Sequence, residues 1–193
     1  LIKSSAVCHK NVRYFRQICG YLISTRTGRS MFFAVGPRAS GKTTLFTTLM
    51  EILGERLAGT GQLGLVHHTK SFGEDEEQAR MNIALVGRRF VALDETKRDA
   101  VIDTAKMKRI ASRDAVLMAR YLRHDAFSFV NNCKVVILTN NIPNIDVNDG
   151  ASWDRVVFLP FLVSVPKENR REGFKDELIH EASGILNWCI QGF

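Results

Sequence analysis

Gly36-Pro37-Arg38-Ala39-Ser40-Gly41-Lys42-Thr43-Thr44 is the stretch whose reading decides the fold. It matches the pattern G-x-x-x-x-G-K-[ST] at every specified position, and the pattern has a physical basis. Glycine permits backbone angles that turn successive N–H groups toward phosphate oxygens. Lys42 adds a point charge directed at the β and γ phosphates, and the Thr43 hydroxyl is a magnesium ligand. Gly36, Pro37, Arg38, Ala39, Ser40, Gly41, Lys42, Thr43 and Thr44 together make the expected nucleotide cradle, with ATP and Mg2+ as its occupants. Such a match also arises by chance in glycine-containing turns, so its flanks matter.

On one side lies Met-Phe-Phe-Ala-Val (31–35), an apolar run of strand length. On the other, Thr44 to Leu53 reads as a helix whose N-terminus faces the anion. Further apolar runs of strand length occur at Leu63–His67, Phe90–Asp94, Lys134–Thr139 and Val156–Phe161, alternating with segments of helical length. Helices are expected after the first two strands and before the fourth. The pattern predicts one α/β domain: a central, mostly parallel five-stranded sheet flanked by helices. From Asp176 to Ile190, apolar residues recur at Leu178, Ile179, Ala182, Ile185, Leu186 and Cys189, so a single packing helix is expected there. The acidic run Glu74-Asp75-Glu76-Glu77 reads as a helix start in its dipole field, in preference to a metal site.

A phosphate loop alone implies phosphate binding, and hydrolysis needs further groups. Phe90-Val-Ala-Leu-Asp94-Glu95 ends a buried strand in two carboxylates. In a parallel sheet, ligands meet the phosphate loop at that edge. Asp94 suits magnesium coordination, and Glu95 suits orienting and deprotonating an attacking water. Lys134-Val-Val-Ile-Leu-Thr139 runs into Asn140, whose amide can hydrogen-bond both a water and a γ-phosphate. Asparagine also ends strands for ordinary turn reasons, so Asn140 gains weight only from its neighbours.

Composition narrows the class. Lys and Arg outnumber Asp and Glu by 27 to 20, and a formal charge of +7 attracts polyanions without proving that any is bound. The 193 residues suffice for one domain, taken as 1–193. The first residue is Leu1 rather than Met, so a piece of a longer polypeptide or a processed product is expected. Cys8, Cys19, Cys133 and Cys189 form no C-x-x-C pair, which argues against a zinc site or disulfide framework and suits a reducing cytoplasm. No apolar run approaches the roughly 18 residues of a membrane span.

Taken in order, GPRASGKTT, FVALDE, AKMKRIASRDAVLMARYLRHDAFSF, VVILTNNIP and SWDRVVFLPF resemble superfamily 3 helicases of the phage/plasmid primase and poxvirus-type nucleoside triphosphatase group. The closing GILNWCIQGF looks like that group's domain end, and the resemblance runs from about Tyr14 to Phe193. It implies an AAA+ P-loop domain with a β-hairpin insertion, assembling into homo-oligomeric rings, usually hexamers, around single-stranded DNA. It also implies a primase domain as a possible neighbour in the same polypeptide, in a viral, phage or plasmid replication protein. On that likeness Asn140 is the sensor and Arg155 the arginine finger that reaches the adjacent subunit's nucleotide. A surface ion pair with Asp154 is the plainer account of Arg155.

The resemblance also assigns Tyr121-Leu-Arg123-His124-Asp125-Ala-Phe127 to a DNA-translocating hairpin, with Arg123 and His124 at its tip. Phe127 is a base-stacking candidate or, more simply, hairpin core. Lys106 and Lys108, together with Arg109, Arg113 and Arg120, line the DNA channel or form a solvated helix face. Two departures stand out: Arg38-Ala39-Ser40 is bulkier than the glycine- and asparagine-rich loop of the group, and the N-terminal helical collar is largely absent. Competing readings are a P-loop kinase, another AAA+ ATPase acting on protein, and a replication-initiation module that binds DNA and uses nucleotide only as a switch.

Overall fold

The computed structural model describes residues 9–67, 74–94, 101–142 and 144–193. Five strands, β1 (Met31–Val35), β2 (Ala58–Thr60), β3 (Phe90–Asp94), β6 (Lys134–Thr139) and β7 (Val156–Pro160), form one parallel sheet in the order β2-β3-β6-β1-β7. Alternation along the strands divides the core between two faces. Phe33, Val91, Leu93, Val135 and Ile137 face α3 (Glu74–Asn82) and α4 (Thr104–Ile110). Phe32, Phe90, Ala92, Val136 and Leu138 face α1 (His9–Ile23), α2 (Lys42–Leu53) and α7 (Ala182–Ile190). A sheet covered on both faces explains why its strands read as unbroken apolar runs.

A second, two-stranded antiparallel sheet interrupts the crossover before β6. It consists of β4 (Val116–Arg120) and β5 (Ala126–Val130), registered Val116 opposite Val130 through Arg120 opposite Ala126. The expected hairpin is present, with residues 121–125 as its turn.

Two expectations are corrected. The segment Leu63–His67 is no strand: Leu63–Leu65 forms a 3-10 turn, and His67 makes one isolated bridge to Ile102. The strand beside β3 is instead Ala58–Thr60, extended at its ends by Arg89 N donating to Leu57 O and Gly61 N donating to Ala92 O. Leu65 and Val66 are fully buried from the turn, and a short apolar run signals burial without choosing a backbone conformation.

The C-terminal segment is two helices, α6 (Phe174–His180) and α7, broken at Glu181. Their supports differ: α6 lies on α2, tied by Lys175 to Glu51 at 2.5 Å, whereas α7 packs on α1. One straight helix would not serve both contacts. The acidic run does open a helix, and no group of metal ligands occurs among the described residues. No helix among the described residues is long and apolar enough to cross a membrane.

Candidate nucleotide-binding site

Parallel pairing brings the C-terminal ends of β1, β3 and β6 to one edge of the sheet. Val35 is opposite Thr139, and Asp94 is opposite Leu138. The groups at the three strand ends therefore converge there: the loop 36–41, the Asp94 carboxylate and Asn140. Arg38, Ala39, Ser40, Gly41, Lys42, Thr43, Thr44, Asp94, Leu138 and Asn140 line a cavity of about 340 Å3. Glu95 lies outside the described residues.

The Lys42 ammonium sits at the centre of this edge. Its Nζ donates to Gly36 O at 2.5 Å, Pro37 O at 2.8 Å, Ser40 Oγ at 3.3 Å and Asn140 Oδ1 at 3.3 Å. Burial lowers the Lys42 pKa and the nearby Asp94 carboxylate pulls it back up, so the lysine is held beside the acid that would share its ligand. The contact with Asn140 joins residues 98 positions apart. Helix α2 begins at Lys42, and Leu45 N donates to Gly41 O. The N–H groups of Lys42, Thr43 and Thr44 precede the first intrahelical bond and point out of the helix start, where an anion is favoured.

The loop's conformation is demanding. Gly41 has φ 90°, and a Cβ at Gly36 would lie 1.8 Å from the Phe161 carbonyl oxygen. Ala39 has φ 57°, a left-handed conformation that costs an L-residue roughly 1–2 kcal/mol. The loop is held from β7's side: Phe161 N donates to Val35 O at 2.7 Å, Ser164 Oγ to Arg38 O at 2.7 Å, and Val165 N to Ala39 O at 2.9 Å. Phe161 ends the run SWDRVVFLPF, but no motif marks residues 162–165, and sequence reasoning missed them.

The donor set fits a magnesium-bound triphosphate: loop and helix-start N–H groups, one ammonium, and the Thr43 hydroxyl and Asp94 carboxylate lining the same cavity.

Arg155 lies at the other edge. It immediately precedes β7, and its carbonyl accepts from Met31 N at 2.7 Å at the entrance of β1. Five residues of strand separate it from the loop, about 17 Å at 3.3 Å per residue, so it does not reach the site of its own chain. Its guanidinium turns back to donate to the Ala151 carbonyl rather than to Asp154. Among the described residues its buried Nε has no hydrogen-bond partner.

Arg123 and His124 occupy the hairpin turn, both exposed, with Arg123 at φ 62°. The turn is closed by His124 N donating to Tyr121 O and Arg120 Nε donating to His124 O. Phe127 stacks on Tyr121 at 5.8 Å between ring centroids, so it packs within the hairpin. Arg120 pairs with Glu76 at 3.2 Å, and Asn82 Nδ2 donates to Met118 O, which together fasten the hairpin to α3. Lys108 makes an ion pair within the chain. Its Nζ is 2.7 Å from Asp149, whose carboxyl is held down to about pKa 2 by hydrogen bonds from Lys108 and Ser152. This pair ties α4 to α5 (Gly150–Trp153). Lys106 Nζ donates to His67 O.

Residues 34–155 match the sequence profile of a family of unknown function, DUF5906. The chain is similar to V13, a candidate helicase of Sputnik virophage, at 24% identity over 140 residues, which is 72% of this chain and 18% of that protein. It is likewise similar to L207/L206, a candidate helicase of Acanthamoeba polyphaga mimivirus, at 29% identity over 142 residues, 73% of this chain and 14% of that protein. The chain thus spans less than a fifth of either relative. Among solved structures, the apo C-terminal region of NrS-1 superposes with a TM-score of 0.74 at 15% identity, covering 98% of this chain and 43% of that one. That likeness shows a shared fold.

Proposed function

The chain belongs to the DUF5906 family, and from that premise we propose that it is the ATP-hydrolysing motor of a DNA replication helicase of the superfamily 3 type. The observation that carries this reading is the meeting of Lys42, Asp94 and Asn140 around one cavity at the carboxyl edge of a parallel sheet. The similarity to viral proteins named as candidate helicases agrees with it.

In this reading the loop N–H groups and Lys42 bind the phosphates. Lys42 exchanges its carbonyl acceptors for phosphate oxygens as ligand enters. Thr43 and Asp94 would hold magnesium, which would supply charge neutralisation to the phosphates. Asn140 orients the water and the terminal phosphate, and Glu95 takes the proton. Arg155 acts on the nucleotide of an adjacent copy in a ring, hexameric by resemblance. Its distance of about 17 Å along the strand from the loop of its own chain supports a role in trans.

The experiment is steady-state ATP hydrolysis by wild type and Glu95→Gln, with and without single-stranded DNA, over a range of protein concentration. DNA-stimulated turnover that rises more than linearly with protein and vanishes in Glu95→Gln is expected. Nucleotide binding without turnover at any concentration would favour the switch reading.

Contact with DNA is assigned to the hairpin turn, where Arg123 and His124 are exposed. Each phosphate neutralised on a single strand adds about 0.7 to the slope of log K against log salt. Arg123→Ala is therefore expected to weaken binding to oligo-dT and reduce that slope by about 0.7 in a fluorescence-anisotropy titration. An unchanged slope removes Arg123 from the interface.

A further inference from the structure

We propose that residues 161–165 are a strap that holds the phosphate loop in its binding conformation, with Ser164 as a positioning residue for the nucleotide. The inference rests on the nucleotide-binding reading above and adds a determinant that lies outside the loop motif.

A strained backbone persists only where its surroundings over-determine it. Ala39 stands in the left-handed region at φ 57°, in the middle of the loop, where glycine would adopt that angle without penalty. The carbonyls on either side of the Ala39 φ and ψ bonds are those of Arg38 and Ala39, and both are pinned from one segment. Ser164 Oγ donates to the first at 2.7 Å, and Val165 N donates to the second at 2.9 Å.

At the loop's start, Phe161 carries the same segment across Gly36, so closely that any side chain at Gly36 would collide with its carbonyl oxygen. The segment is secured at its far end, where Arg170 Nε donates to Val165 O at 2.9 Å. Bonded to residues 164 and 165, the Arg38 and Ala39 carbonyls are engaged away from an incoming phosphate. A relaxed Ala39 would turn a peptide unit over and present a carbonyl to the phosphates instead. The bulk of Arg38-Ala39-Ser40 is thus compensated from outside the loop.

The test measures binding of a fluorescent ATP analogue, mant-ATP with magnesium, and the KM and kcat for ATP. Loss of a single neutral hydrogen bond predicts that Ser164→Ala weakens mant-ATP binding roughly fivefold, with KM rising by more than kcat falls. Ser164→Thr, which keeps the hydroxyl, should restore binding to within about twofold of wild type. In an Ala39→Gly background, where the left-handed angle needs no support, the effect of Ser164→Ala should shrink to less than about twofold.

Unchanged binding in Ser164→Ala overturns the proposal. So does failure of threonine to restore binding, or an equal loss in both backgrounds. Lys42→Ala protein separates the two levels of inference. If wild type binds, Lys42→Ala does not, and Ser164→Ala matches wild type, only the strap is wrong. If wild type itself fails to bind mant-ATP, both readings fall.

Discussion

Lys42→Ala is expected to lower nucleotide affinity and turnover by at least about a hundredfold. The ammonium shares its three N–H groups among four oxygens at one edge of the sheet, the nearest two being loop carbonyls at 2.5 and 2.8 Å. Hydrogen bonds to a charged group contribute about 1.5–3 kcal/mol each, so losing two to phosphate oxygens amounts to roughly 3–6 kcal/mol. Removal also frees the Gly36 and Pro37 carbonyls to face an incoming polyanion with no intervening positive charge. A second loss follows because Asn140 no longer has the lysine as a donor. The check is a mant-ATP titration beside steady-state hydrolysis. Wild-type affinity in Lys42→Ala would remove the loop from nucleotide binding altogether. Lys42→Arg should not rescue, because the flat guanidinium does not reproduce a compact ammonium among converging oxygens.

Arg155→Ala should produce the second large effect, of a different kind. In related P-loop enzymes a guanidinium placed on the growing charge of the phosphoryl group contributes roughly 10³ to 10⁵ in rate. The residue enters β7 while the phosphate loop leaves β1, so the two stand at opposite edges of a parallel sheet. Arg155→Ala should therefore bind mant-ATP as wild type does, with turnover down roughly a thousandfold wherever wild-type turnover depends on assembly. Its present bond to the Ala151 carbonyl must open for the side chain to extend, and its Nε, without a hydrogen-bond partner among the described residues, does not oppose that exchange.

Complementation makes the geometry testable. Mixed with Lys42→Ala protein, Arg155→Ala subunits supply an intact loop while the partner supplies the arginine, and part of the activity should return. Absence of recovery, in mixtures shown by native mass spectrometry to co-assemble, would restrict Arg155 to a structural role at the entrance of β7.

The fold was legible in the sequence where one local signal sufficed. Glycines, a lysine and a threonine at fixed spacing, between an apolar, phenylalanine-rich run and a helical run, specify strand, loop and helix within a short span of chain. The α/β architecture, four of the five strands and the helix start at Glu74 follow from patterns of this local kind, whereas the hairpin was expected only from the family resemblance. Asp94 and Asn140 were readable as polar ends of apolar strands.

The departures share a cause. Ala58–Thr60 carries no apolar signal, because an edge strand of small residues is held by backbone bonds to β3 and not by burial of large side chains. The break at Glu181 reflects two helices docking on different partners, which periodicity along one segment does not encode. The ion pair of Lys108 with Asp149, 41 positions away, is likewise invisible in the local sequence.

By itself the sequence determined the strand, glycine-rich loop and helix of residues 31–53, the class of fold and the order of polar residues along its strands, since each depends on neighbours in the chain. Only the tertiary structure decided that Lys42 touches Asn140, that Arg155 stands across the sheet from its own loop, and that Ser164 and Val165 hold Ala39 in place. Those relations are set by strand order and by contacts between residues up to 126 positions apart, and such distances leave no periodic or local trace in the chain.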